Sequence, residues 1–210
     1  MSHFVWSFKI GDNIVFNLRV LNKLYKNRDN DSLKYSALYN KPISILIVSV
    51  IEAVMIDLIG RIDEARNDLP KIDEDVIRKI KSLIQKYKKK EKVKDDLSGE
   101  IVLGTRRKNY QMRDTIEIFK DFSLLEPLDD SIYSSLGAIS RFRNRVHILN
   151  YFDNFETDES EVFTDKRVLM LEKILNDIIL VMEEKYYRHG LSKTSMDSNY
   201  NVWLSTLDEI

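Results

Sequence analysis

Two rhythms of apolar residues run along the chain. Near the start, Phe4, Trp6, Phe8 and Ile10 alternate with His3, Val5, Ser7 and Lys9, and after Gly11 and Asp12 the alternation resumes through Ile14, Phe16, Leu18 and Val20. Gly-Asp between two period-two runs predicts a small N-terminal β-hairpin, because glycine supplies the positive φ that the first turn position needs. The second run also fits a helix through Ile14, Leu18, Leu21 and Tyr25. The polar cluster Asn27 to Ser32 closes this opening unit.

From Pro42 onward the rhythm is helical. Proline is well placed in a first helical turn, and Ile43 to Ile62 follows with almost no polar face, which predicts a helix in the middle of a bundle. Glu52 and Asp57 within it are expected on the thin exposed side or bonded to a neighbouring arginine, because a buried carboxylate requires a partner. After Asn67 to Pro70, Asp73, Glu74 and Asp75 place acids at a helix start, and Val76, Ile77, Ile80, Ile84 and Tyr87 follow with helical spacing. Lys92 to Tyr110 reads as a mobile connection. Arg113 to Leu125 is predicted as a short helix stopped by Glu126-Pro127. Asp129 or Asp130 can cap the next, whose stripe is Ile132, Tyr133, Leu136 and Ile139. An acidic loop, Asp153 to Glu161, leads into a last long helix, Thr164 to Tyr187, with Val168, Leu171, Leu175, Ile178, Ile179 and Met182 along one face and Gly190 as its stop. The tail is polar apart from Val202, Trp203, Leu204 and Leu207.

The expected class is therefore all-α: a helical domain over 41–189 with a basic variable region at about 71–113, an N-terminal appendage over 1–40 and a tail over 190–210. With 210 residues, 43% of them hydrophobic, and only 3 prolines and 6 glycines, the chain can bury one good core. It has no cysteine, which excludes disulfides and thiolate metal sites, and His3, His147 and His189 are too scattered to suggest zinc. No structural metal and no cofactor are expected. The first residues lack a basic segment followed by a long apolar run, and Ile43 to Ile59 is interrupted by Ser44, Ser49, Glu52 and Asp57, so the expectation is a soluble cytoplasmic protein without a membrane span.

A net charge of -1 conceals an uneven layout. Residues 71–113 carry roughly seven more basic than acidic side chains, and from Asp114 onward the chain is acidic by roughly nine. Lys86, Lys88, Lys89, Lys90, Arg106, Arg107, Lys108 and, further on, Arg145 form a candidate RNA-binding set, since neutralising phosphates gives affinity without sequence preference. A plain solvated helix face is the alternative for the lysines.

The chemistry concentrates in Arg141-Phe142-Arg143-Asn144-Arg145-Val146-His147. Arginine stays cationic and grips phosphate with two parallel hydrogen bonds, whereas histidine changes charge near neutral pH and passes a proton either way. If the segment is helical, Arg143, Asn144 and His147 share a face and Arg141 is rotated away. Cleaving RNA without a metal takes a base for the 2′-hydroxyl proton, a cation for the crowded phosphorus and an acid for the departing 5′-oxygen. Histidine suits either proton role and arginine the charge role. One histidine cannot easily serve as both acid and base, so a symmetric homodimer with the segment at its interface would complete the kit.

An apolar helix with an internal glutamate (Ile43 to Ile62, Glu52), a variable region, a helix ending in Arg141 to His147 and a long final helix together resemble the HEPN superfamily over roughly residues 40–187. The resemblance implies a small all-helical, typically dimeric domain of prokaryotic toxin-antitoxin and antiviral systems. It also implies an arginine, often followed by asparagine, and a histidine after four to six intervening positions. Arg141 meets the spacing to His147 but precedes Phe142; Arg143 precedes Asn144 but stands only three intervening residues from His147. Some members carry a tyrosine two residues after the histidine, where this chain has Leu149. The expected function is a metal-independent endoribonuclease cleaving RNA by transesterification. Its candidate catalytic residues are Arg141, Arg143, Asn144 and His147, and its implied partner is an antitoxin or other defence protein. The competing expectation is a non-catalytic helical module that binds RNA, a nucleotide or a partner protein.

Overall fold

A stretch with almost no polar face must be covered on all sides, and that requirement organises the molecule. The computed structural model describes residues 5, 8–64, 72–87, 89–94, 101–106, 112–143 and 162–186. It is a helical bundle built of α1 (Phe8–Asn30), α2 (Leu33–Ser36) followed by a 3-10 turn (Ala37–Tyr39), α3 (Asn40–Glu64), α4 (Glu74–Tyr87), α5 (Met112–Asp121), α6 (Ser131–Arg143) and α7 (Asp165–Lys185). An antiparallel ribbon of β1 (Lys89–Lys94) and β2 (Ile101–Arg106) lies between α4 and α5 in the chain. Helix α3 packs against α1, α4, α5, α6 and α7. Ile43, Ile47, Ile51, Met55, Ile59 and Ile62 along it expose no surface, and each such side chain contributes roughly 1.5–3 kcal/mol by leaving water.

Two polar clasps fix how α7 lies on α3. Asn40 Nδ2 donates to Asp165 Oδ1 at 2.9 Å where both helices begin, and the Arg61 guanidinium donates to the Tyr186 carbonyl where both end. The helices therefore run parallel. The chain reverses between α1 and α3, which sets α1 antiparallel to both. The Tyr25 hydroxyl, buried in α1, donates to the Glu172 carboxylate on α7. Helix α7 starts where predicted: Thr164 Oγ1 accepts from Arg167 N at 3.3 Å, and every residue of the expected stripe from Val168 to Met182 is buried. Its expected stop, Gly190, lies outside the described residues.

The N-terminal hairpin does not form. Gly11 and Asp12 lie inside α1, and the burial follows the helical alternative: Ile14, Leu18, Leu21 and Tyr25 are buried while Phe16, which a hairpin would turn inward with Ile14 and Leu18, is 65% exposed. A two-stranded hairpin covers little of α3, whereas a 23-residue helix covers most of its length. The stretch from Lys92 to Tyr110, read as a mobile connection, contains most of the ribbon instead. Its register pairs Lys89 with Arg106 and Lys94 with Ile101, and the β-branched Ile101, Val102 and Thr105 favour the extended backbone.

For the carboxylates of α3, the first of the two expected alternatives, exposure, does not hold. Neither Glu52 nor Asp57 lies on an exposed side; both are buried, as is Arg61 one turn beyond Asp57. The helix is long and apolar enough to cross a membrane, contrary to the expectation from Ile43 to Ile59, because its ends reach beyond that stretch. Here 61% of its apolar window is buried within the bundle.

Helix α5 stops at Asp121, well before Pro127. Ser123 adopts the left-handed conformation (φ 49°), Ser123 N donates to Lys120 O at 3.1 Å, and Leu124 N donates to Phe119 O at 2.9 Å. This is a Schellman ending with serine in the place usually taken by glycine. The turn is then held by two hydroxyls: Tyr133 Oη donates to Phe119 O at 3.1 Å and accepts from Leu125 N at 3.3 Å, and Tyr186 Oη donates to Leu124 O at 2.6 Å.

Replacing Arg61 with alanine removes the donor to the buried Tyr186 carbonyl and leaves a cavity, and is expected to lower stability in urea unfolding by about 3 kcal/mol or more. Ser123→Gly relieves the left-handed strain at some cost in unfolded-chain entropy, and should raise stability by about 0.5–1 kcal/mol in the same assay. Asp129 caps α6, its Oδ1 accepting from Ser131 N at 2.8 Å, and this bond holds the carboxyl below its ordinary value of 3.8. A depressed folded value contributes stability above pH 3.8, and that contribution is lost as pH falls through the folded value. Asp129→Ala should therefore melt below wild type at neutral pH, with the gap narrowing as the thermal scans are repeated down toward about pH 3.

Candidate functional site

Helix α6 forms because Asp129 caps its first turn and because Ile132, Tyr133, Leu136 and Ile139 recur at helical spacing; all four are buried. Tyr133 ties its start to the α5 turn, and through Leu124 to Tyr186 and Arg61. A helix anchored in this way carries its far end on a rigid frame. Arg141 and Arg143 occupy its last turn, and Arg143 stands about 15 Å along the axis from Tyr133. The helix remains intact through Arg143, so the two arginine positions lie on nearly opposite sides of it. The end of a helix is its negative pole, where arginine is electrostatically favoured. Asn144, Arg145 and His147 lie outside the described residues.

The RNA-binding candidates divide in the same way. Lys86 is in the last turn of α4, Lys89 and Lys90 open β1, and Arg106 closes β2; Lys88, Arg107 and Lys108 lie outside the described residues. The ribbon brings together what the sequence holds apart. Lys89 pairs with Arg106 and Lys90 with Thr105, so two segments of the basic region meet at the end of the ribbon nearer α4. Lys92 and Lys94 continue along β1. This is an extended backbone with dense positive charge, suited to a phosphate chain by electrostatics and not by base reading.

Sequence reasoning missed a second group of polar residues, which lies where α1, α3 and α7 meet. Tyr25 and Glu172 form its middle, with the Arg28 guanidinium 4.7 Å from the Tyr25 ring centre. Burial, followed by the bond to Glu172, pushes the Tyr25 phenol far above its ordinary range. Tyr25 therefore remains a hydrogen-bond donor at every working pH and is unsuited to proton transfer. Toward the start of α3, Asn40 and Ser44, one turn apart, bury Oδ1 and Oγ atoms that have no hydrogen-bond partner. Tyr25 has a sequence signal only as an apolar stripe member, and Asn40 and Ser44 have none.

Among the described residues no three His, Cys, Asp or Glu side chains converge as a metal site would require. Compared with protein-family models, with curated proteins and with solved structures, the chain matches none.

Proposed function

We propose that this protein is a metal-independent endoribonuclease of the HEPN type, acting on RNA in the cytoplasm within a toxin-antitoxin or antiviral defence setting. The observation that carries this reading is the segment Arg141 to His147, which begins in the last turn of a helix anchored at its other end. In this reading His147 moves the proton, as base toward the 2′-hydroxyl or as acid toward the departing 5′-oxygen. Arg141 or Arg143 stabilises the negative charge that builds on the phosphorus, and Asn144 orients the phosphate. Attack of the 2′-oxygen forms the new P–O bond as the bond to the 5′-oxygen breaks, leaving a 2′,3′-cyclic phosphate and a free 5′-hydroxyl. Two copies of the chain supply two histidines, one for each proton. A bundle around an apolar helix with internal Glu52, closed by a long final helix, supports a HEPN-like architecture. The basic β1–β2 ribbon gives the RNA backbone a further surface to follow.

A mixed pool of single-stranded and structured RNA incubated with the protein in EDTA should yield fragments ending in cyclic phosphate. His147→Ala should cut the rate by about 10²-fold or more, and the effective member of the pair Arg141→Ala and Arg143→Ala by about 10²–10³-fold. An unchanged rate with His147→Ala would remove the assignment. If RNA stays intact with wild type while binding weakens with salt, the non-catalytic binding module replaces the nuclease, with the lysine-bearing ribbon as its surface.

A further inference from the structure

Helix α7 buries one side against the bundle and leaves the other to solvent, but that outer side is not the polar face a solvated helix needs. Leu169 is 63% exposed and Leu180 59%, and Met170 beside them is 39% exposed. The two leucines are eleven positions apart, about three turns of helix, so they stand on one line. The charges along that line are sorted. Lys166 and Lys173 lie in the first half, and Asp177 and Glu184 in the second, Lys166, Lys173 and Glu184 exposed and Asp177 half-buried.

A face basic at one end, acidic at the other and symmetric in its leucines is complementary to itself. If a second α7 is laid antiparallel across it, with the two-fold axis near residue 175, the same register satisfies every pair. Leu169 meets the partner copy's Leu180, Lys173 meets its Asp177, and Lys166 meets its Glu184. A two-fold axis perpendicular to both helices keeps each residue on its own side of the seam, and the members of each pair lie on matching sides. The seam spans about 27 Å from Lys166 to Glu184.

We infer that the exposed face of α7 is the surface on which two copies of this chain pair, antiparallel and in that register. Sorted charge argues for a second copy over an unrelated partner, because an unrelated protein would place no demand on the two halves of one helix to be mirror opposites. The assignment rests on the helix face alone and goes beyond the nuclease reading, whose own dimer is defined by the Arg141 to His147 segment. Dimers that leave RNA intact would overturn the nuclease and leave the interface standing, whereas cleavage by a monomer would overturn the interface together with the sharing of two histidines between copies.

The test is sedimentation equilibrium on the full chain and on Lys173→Glu and Asp177→Lys, each first checked for native circular dichroism. Wild type is expected to be dimeric at micromolar concentration. Each single variant places like charges opposite each other twice per dimer and should weaken association by about tenfold or more. An equimolar mixture of the two variants restores opposite charges at both contacts, and should form a mixed dimer about as tight as wild type. Because the variants rescue each other only across this seam, misfolding cannot imitate the result. A monomeric wild type, single variants as dimeric as wild type, or a mixture no tighter than its components would each overturn the assignment.

Discussion

Arg61 carries a full positive charge and exposes none of its surface, and one end of the bundle is arranged to make that tolerable. Its guanidinium donates to the Tyr186 carbonyl at the end of α7, the Tyr186 hydroxyl donates to Leu124, and the turn that contains Leu124 is bonded in addition by Tyr133 from α6. Four helices are thus joined at one end through a continuous relay of side chain and backbone. A buried guanidinium without acceptors would be intolerable, so the carbonyl it binds is as necessary as the charge itself. Burial, then the neighbouring Tyr133 phenol and the Glu126 carboxylate, push the Tyr186 phenol up, which keeps its hydroxyl a donor and the relay intact.

The helical parts of this bundle were legible in the sequence wherever one residue pattern had one interpretation. The α7 stripe, the acids at the start of α4 and the cap of α6 are local features, decided by spacing and by backbone groups within a few residues. The errors came where two patterns competed. Alternation through Ile14, Phe16, Leu18 and Val20 is real, and only the need to cover α3 selects the helix that buries Ile14, Leu18, Leu21 and Tyr25 and gives up Phe16 to solvent. The α5 ending was misplaced because serine is an uncommon occupant of the left-handed position, while the proline four residues later is the stronger signal.

The candidate site was legible as chemistry and only partly as geometry. Arg141 and Arg143 stand in the last turn of the helix predicted to deliver them, because its stripe and its cap are both local. The pairing of Lys89 with Arg106 was not foreseeable from composition, since strand pairing joins residues that are distant in the chain and a run of lysines reads equally well as helix surface. The buried oxygens of Asn40 and Ser44 and the bond between Tyr25 and Glu172 arise at contacts among three helices. No window along the chain contains all of the residues involved.

Both clasps between α3 and α7 join residues 125 positions apart. On a ribosome adding about 5–20 residues per second, roughly 6–25 s pass between the emergence of a position on α3 and that of its partner on α7. Throughout that interval the most apolar helix of the protein lacks a major part of its cover. Among the described residues, α1 is the long helix made before α3 and placed to shield it from the start.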